Sequence, residues 1–356
     1  MSKIFVAGLG AVSPAGWNVA ALRAALENNE PLPGQTLARP GWEKSLKVRQ
    51  VPNPTTRLEF LAHPRLRRSS PITHYAAAAT LEALAGLRAN AAAKNFRLGL
   101  IACLQSGCVQ YSCRFYDETL KNPATASPLI FPETVHAAPT SHVAALLENV
   151  RLAQTLVGDP AIFLQGVALG AQWLTEHRVD ACLIFGADET NWIIADAFAL
   201  LDRQAIATAG AGAVCLCREE KFSIGVELAA ITDALVFSAR QSRRHAVAAM
   251  RAQLGNISAG ELLCDGLGVS PRADAAERAA FADCSNPRIS PKAILGEGMM
   301  AAAAWQCVAA CDAVAEKKHA SASVSLVSPN QQAIGARFVR AEFSLSTAAP
   351  AGNIAP

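Results

Sequence analysis

The ten cysteines lie at 103, 108, 113, 182, 215, 217, 264, 284, 307 and 311. None forms a CxxC pair beside a matching His or Cys cluster, so no metal site is expected. Cys108 and Cys113 are the thiols to weigh as nucleophiles. Neither has a histidine or helix start beside it in sequence to favour the thiolate, so both read as ordinary buried or half-buried thiols. His136 and His142 flank a proline turn and read as helix-capping or satisfied core histidines. Lys292 and Glu297 are spaced to pair with each other, and Asp265 and Glu297 are the carboxylates to weigh for acid–base work. Arg65, Arg67 and Arg68 form a basic cluster that reads as a solvated face. Gly210 and Gly212 do not make a dinucleotide fingerprint, because no ribose-binding acid follows a βαβ unit. No cofactor is expected.

Composition sets the bounds. Of 356 residues, 51% are hydrophobic and 17% charged, which fits a large core plus a buried subunit interface. A net charge of +3 without a Lys/Arg run argues against nucleic acid. No uninterrupted apolar stretch is long enough for a membrane span. The start, MSKIFVAGLGAVSPAG, lacks the charged and apolar regions of a signal peptide. Free thiols in a reducing cytoplasm are the expectation.

These groups must be positioned by alternating strands and helices. KIFVAGL at 3–9 reads as a buried strand, followed by a turn at Ser13-Pro14 and an Ala/Leu helix. Residues 31–70 are Pro-rich and read as a surface excursion. A helix is expected over 74–87, a strand over 97–103, irregular chain over 105–141 and a helix from His142. Then come a short strand at 161–164, a helix at 166–177, a strand at 181–186 and a glycine loop feeding a strand within 206–218. The remainder reads as a strand at 225–231, helix 243–254, strand 261–264, helix 299–314 and strands at 321–327 and 333–343. Alternation in two successive halves predicts an α/β fold with largely parallel central strands. The halves are expected at 1–220 and 221–346, with 347–356 a flexible tail.

Four blocks, in order, resemble the condensing enzymes of fatty acid and polyketide synthesis, the β-ketoacyl synthases. They are VAGLGAVSPAGWNVAALRAAL (6–26), SPLIFPETVHAAPTSHVAALL (127–147), DACLIFGADE (180–189) and SPKAILGEGMMAAAA (290–304). The resemblance implies the thiolase-like layered fold, α/β/α/β/α, with two pseudo-repeated halves. It also implies a dimer interface crossed by the second block.

A condensing enzyme needs a cysteine nucleophile, two basic side chains, usually histidines, and an oxyanion hole. Counting back from GADE without gaps places Pro160 at the nucleophile position; a gapped count reaches Phe163 or Gln165. Proline offers neither thiol nor backbone N–H. In LLCDGLGVSPRADAAE (262–277), Ser270-Pro271, Asp274 and Glu277 keep the family's pattern, but Gly266, or Asp265 if a residue is lost, stands at the first histidine. Lys292 and Gly296 keep the Lys-x-x-x-Gly pattern, and Glu297 replaces the second histidine. The family's glycine-rich, phenylalanine-bearing loop is replaced by VSPNQQAIG (327–335). Lys292 alone survives.

By resemblance, this is a chain length factor, the inactive partner of an active ketosynthase, similar to the small subunits of aryl polyene clusters. Such a subunit buries an obligate interface and shapes the acyl tunnel. Carrier protein is expected to dock through the partner. Cys108, Val109, Tyr111 and Phe115 occupy the family's acyl-pocket segment, and Phe131, Thr134, Val135 and His136 the interface segment. Two alternatives stay open: an acyl-thioester enzyme using Asp265, Glu297 or Cys108, and a scaffold that only recruits carrier protein.

Overall fold

The structure, a computed structural model, describes residues 3–201, 205–238, 242–268 and 270–342. Its first strand, Phe5–Val12, is almost wholly buried because a helix lies directly on it. That helix, Pro71–Ala89, presents Ala76, Ala79 and Ala83, small enough to bring the two backbones together. Glycine makes the approach possible. A Cβ at Gly10 would sit 1.9 Å from the Ala79 carbonyl oxygen, and one at Gly8 2.0 Å from that of Ala83. Gly10→Ala is therefore expected to cost about 3 kcal/mol or more, above the common range for overpacking, because the obstacle is backbone. Urea unfolding read by circular dichroism checks this.

The sheet topology repeats. Phe5–Val12, Leu98–Leu104, Val150–Val157, Ala181–Asp188 and Gly210–Cys217 are, in chain order, the first five long strands, and they pair in the order 3-2-4-5-1. Val226–Ile231, Leu262–Cys264, Arg288–Ile289, Ser321–Val327 and Gln332–Arg340 pair in the same order. The two sets join where Phe5 and Val6 meet Glu227 and Val226. Within each set four strands point the same way, and only the fifth is reversed, pairing antiparallel with both of its neighbours. The strands are thus largely parallel, as expected, with one reversed strand in each set that the sequence did not mark. Hydrophobicity marks strands buried on both faces, but it carries no sign of direction.

Both faces of the first sheet are covered. Along Leu98–Leu104, alternate residues point to different cores: Leu98, Leu100, Ala102 and Leu104 to the Pro71–Ala89 side, Ile101 and Cys103 to the opposite one. The opposite core holds the helices Ile162–Thr175 and Met300–Ala315, the latter buried along almost its whole length. Trp305 fixes it by donating from Nε1 to the carbonyls of Val12 and Ala211, at 3.1 and 3.0 Å. Helices Arg243–Leu254 and Pro271–Ala280 cover the far face of the second sheet. Helix and sheet layers therefore alternate through the molecule, as the α/β/α/β/α reading requires.

Several local expectations are corrected. Residues 31–70 include two short strands, Gln35–Leu37 and Leu46–Arg49, which join Ala207–Thr208 in a separate sheet. The third strand is Val150–Val157, and Ala161–Leu164 instead turns into a helix. VRLAQTLV is polar enough to read as loop because it is an edge strand, whereas AIFL is an apolar run too short for periodicity to decide. The helix Val109–Lys121 stands where irregular chain was expected, and the helix Trp192–Leu201 lies in a stretch for which no element was read. The 347–356 tail lies outside the described residues.

Candidate functional site

The edge strand ends at Val157, the chain turns through Gly158-Asp159-Pro160, and the helix Ile162–Thr175 begins. A residue on such a strand–helix turn is held at a helix N-terminus, which is where acyl enzymes present a nucleophile. Pro160 occupies this turn and lines a cavity of about 760 Å³. Phe163 is fully buried in the core, and Gln165 points to Gln332 on another strand. Of the three nucleophile positions reached by counting, only Pro160 meets the cavity.

Gly266, Lys292 and Glu297 line the same cavity, so the fold gathers positions that lie far apart in sequence. Gly266 follows the strand Leu262–Cys264, and a Cβ there would meet nothing closer than 3.6 Å. A side chain would fit, so the backbone does not require glycine. The Asp265 carboxylate turns away, held by Ser290 Oγ and by Arg288 at 3.4 Å. Burial pushes Asp265 up, and burial followed by the Asp265 charge pushes Glu277 up behind Gly266. Lys292 Nζ lies 2.9 Å from Glu297 Oε2, with both side chains over nine-tenths buried. The other Glu297 oxygen accepts from the Met299 N–H at 2.7 Å. The amine is neutralised where it stands. From the 327–335 loop, Val327, Pro329 and Asn330 complete the wall.

Two buried carboxylates assemble this region, and the sequence reading saw them only as part of a motif. Asp188, at the end of its strand, accepts from the Ser106 N–H and Oγ, each at 2.7 Å, and from the Met300 N–H at 2.9 Å. Burial drives its carboxyl up to about 7 while those hydrogen bonds pull it down. Glu189 accepts from Ser70 Oγ and from the Ile72 and Gln110 N–H groups. Acidic residues ending a buried strand, as in GADE, were the available signal.

The tunnel and interface candidates come together elsewhere. Phe115 and Phe131 pack with ring centroids 5.5 Å apart, and Ser112 Oγ donates to the Thr134 carbonyl at 3.5 Å. His136 lies over Gly107, whose positive φ of 63° and lack of Cβ admit the ring. Cys108 is buried facing the Val135 carbonyl, Val109 starts the helix half-buried, and Tyr111 packs on the core. Burial raises the Cys108 thiol far above its ordinary range, and burial also raises Cys113, which accepts from Asn191 Nδ2. His142 pairs with Glu133 at 2.8 Å. The Val109–Lys121 helix is amphipathic yet buries no residue fully. Tyr116, Leu120, Leu129, Phe131 and Val135 form exposed apolar surface there, and the Val150–Val157 strand, with Val157 exposed, pairs on one side only among the described residues. Arg65, Arg67 and Arg68 are exposed on the turn Pro64–Arg68.

No family model matches this chain, and no curated protein matches it. Solved structures do. A β-ketoacyl synthase from Burkholderia phymatum superposes with a TM-score of 0.79 at 15% identity, covering 96% of this chain and all of the other. The fold is that of the ketosynthases. The ishigamide ketosynthase/chain length factor matches with a TM-score of 0.76 at 18% identity, again over 96% of this chain and 100% of that one. A ketosynthase in complex with its chain length factor from Xenorhabdus doucetiae gives 0.76 at 14%, over 96% and 98%. At such identities the ketosynthase fold carries over architecture, and the chemistry of the cavity rests on its own residues. Among the described residues lining it there is neither a thiol nor an imidazole. No described helix is long and apolar enough to cross a membrane.

Proposed function

We propose that this chain is a chain length factor: a non-catalytic subunit that pairs with an active ketosynthase and forms part of its acyl tunnel. One observation carries the reading. The cavity where a ketosynthase fold would do chemistry presents a proline at the strand–helix turn, a bare glycine, and a lysine tied to a glutamate. Acyl transfer needs a nucleophile, and decarboxylation needs donors or positive charge at the developing enolate. A buried Lys–Glu pair supplies no net charge, and Pro160 supplies neither thiol nor N–H. The Xenorhabdus and ishigamide structures are similar in fold and join a ketosynthase to a chain length factor.

The partner-binding face is the exposed apolar surface around Leu120, Leu129 and Val135, together with the unpaired edge of Val150–Val157. An exposed edge strand offers a row of free N–H and C=O groups, and an apolar patch beside it favours burial against another subunit. Tyr111 and Phe115 lie just behind this face and are the tunnel wall. Carrier protein docks mainly through the ketosynthase, in a reducing cytoplasm that keeps the thiols free. An aryl polyene-type product is the pathway reading.

The reading in which Asp265, Glu297 or Cys108 runs other acyl chemistry is less well supported. Asp265 and Glu297 are tied to cations, and Cys108 is buried with its thiolate disfavoured. A mass shift of this chain after exposure to acyl thioesters would favour it. The proposal is tested by product length. In the reconstituted pair, Phe115→Ala removes a wall and is expected to lengthen the product, and Val109→Trp to shorten it. Overpacking costs more than the ~0.8 kcal/mol gained per buried methylene, so a wall sets length sharply. Liquid chromatography with mass spectrometry reads the products; unchanged lengths for both variants would sink the tunnel role.

A further inference from the structure

The cavity holds more than the remnants of a catalytic set. Arg243 opens the Arg243–Leu254 helix, and Arg272 lies in the first turn of Pro271–Ala280; both line the cavity. The Arg243 guanidinium is half-buried, donates to the Pro329 carbonyl and lies 4.9 Å from the Phe237 ring centre. Its Nε is buried and has no hydrogen-bond partner among the described residues. Among the described residues no carboxylate pairs with either arginine, while burial and then the nearby Arg272 charge weaken the hold of Arg243 on its proton. Glu297, the carboxylate in the same wall, is already taken by Lys292 and Met299. Two like charges facing one cavity repel unless an anion lies between them. A planar guanidinium with a free N–H matches an oxyanion in fork geometry. On Gln105, also in the lining, a buried Oε1 lacks a donor among the described residues. Phe198, Leu201, Met299 and Val327 add apolar wall beside the polar Ser270 and Asn330.

We propose that this cavity binds, without turning over, a small amphipathic oxyanion: a carboxylate or phosphate head held by Arg243 and Arg272, an apolar body, and an N–H or O–H that satisfies Gln105. A volume of about 760 Å³ is ample for such a molecule. The site uses residues of this chain alone, so it stands whether or not the pairing with a ketosynthase is correct.

Calorimetric titration of the full chain, alone or with its ketosynthase, tests this with four probes. N-decanoylglycine carries a carboxylate, an amide N–H and an apolar body, and decyl phosphate carries the other head. N-decanoylethanolamine lacks the charge, and inorganic phosphate lacks the body. Saturable binding is expected for at least one of the two amphipathic anions, the tighter one identifying the head. The neutral amide and inorganic phosphate are each expected to bind at least tenfold more weakly than it does. Arg243→Gln and Arg272→Gln should each weaken binding at least tenfold, with no mass change on the protein. Arg272 is exposed, so its variant should melt as the parent does. Equal binding of the neutral amide, no binding of either amphipathic anion, or parental affinity in a normally melting Arg272→Gln would each overturn the site.

Discussion

Aspartate at Leu120 and Leu129 together is expected to weaken association with the ketosynthase at least 100-fold. The two side chains are 80% and 64% exposed, so the isolated fold loses almost nothing by the change. Their cost arises only on pairing, when two carboxylates enter an apolar contact without partners. Burying such a carboxylate at an interface is expected to cost about 1.4 kcal/mol or more at each position, and each ~1.4 kcal/mol is tenfold, which makes the combined loss about a hundredfold or larger. Val236→Asp, exposed on a distant short strand paired with Gln332–Arg340, is the matched control and should leave affinity unchanged. Biolayer interferometry of the variants on immobilised ketosynthase separates the two. Equal loss in the control would mean a general effect of charge rather than a defined face.

The second large effect lies at Lys292 and Glu297. Glu297→Gln leaves an ammonium over nine-tenths buried without its counter-charge and is expected to destabilise the chain by about 3–5 kcal/mol. The double change Lys292→Met, Glu297→Met removes both charges and is expected to recover most of that loss, because apolar residues often replace a buried pair at no cost. A thermal-denaturation cycle over the four proteins measures the coupling. If acyl-group chemistry depended on this pair, the double variant would lose product while staying folded. On the present reading it keeps full activity in the heterodimer.

What the sequence showed and hid follows physical lines. The buried strands were legible because both faces are covered, so Leu98–Leu104 is apolar throughout and Ala181–Asp188 is apolar up to its last residue. The Arg243–Leu254 helix was read to its ends because one stripe is buried and the rest is solvated. Val150–Val157 was not legible, since an edge strand keeps polar residues on exposed positions and imitates a loop. The Val109–Lys121 helix was missed for a related reason: the described residues cover its apolar side only in part, and none of its residues is fully buried. Both failures fall on the surface assigned here to the partner, where sequence answers to a second molecule. At the cavity, the resemblance to the condensing enzymes brought Pro160, Gly266, Lys292 and Glu297 into consideration, and the fold joins all four. Arg243 and Arg272 gave no signal, because lone arginines in amphipathic helices look like solvated surface until the cavity they face is known.

The most direct measurement is co-expression of this chain with a ketosynthase encoded beside it, followed by size-exclusion chromatography with light scattering. The account predicts a one-to-one heterodimer, with this chain insoluble or unstable when made alone. A stable homodimer that ignores the ketosynthase would contradict it.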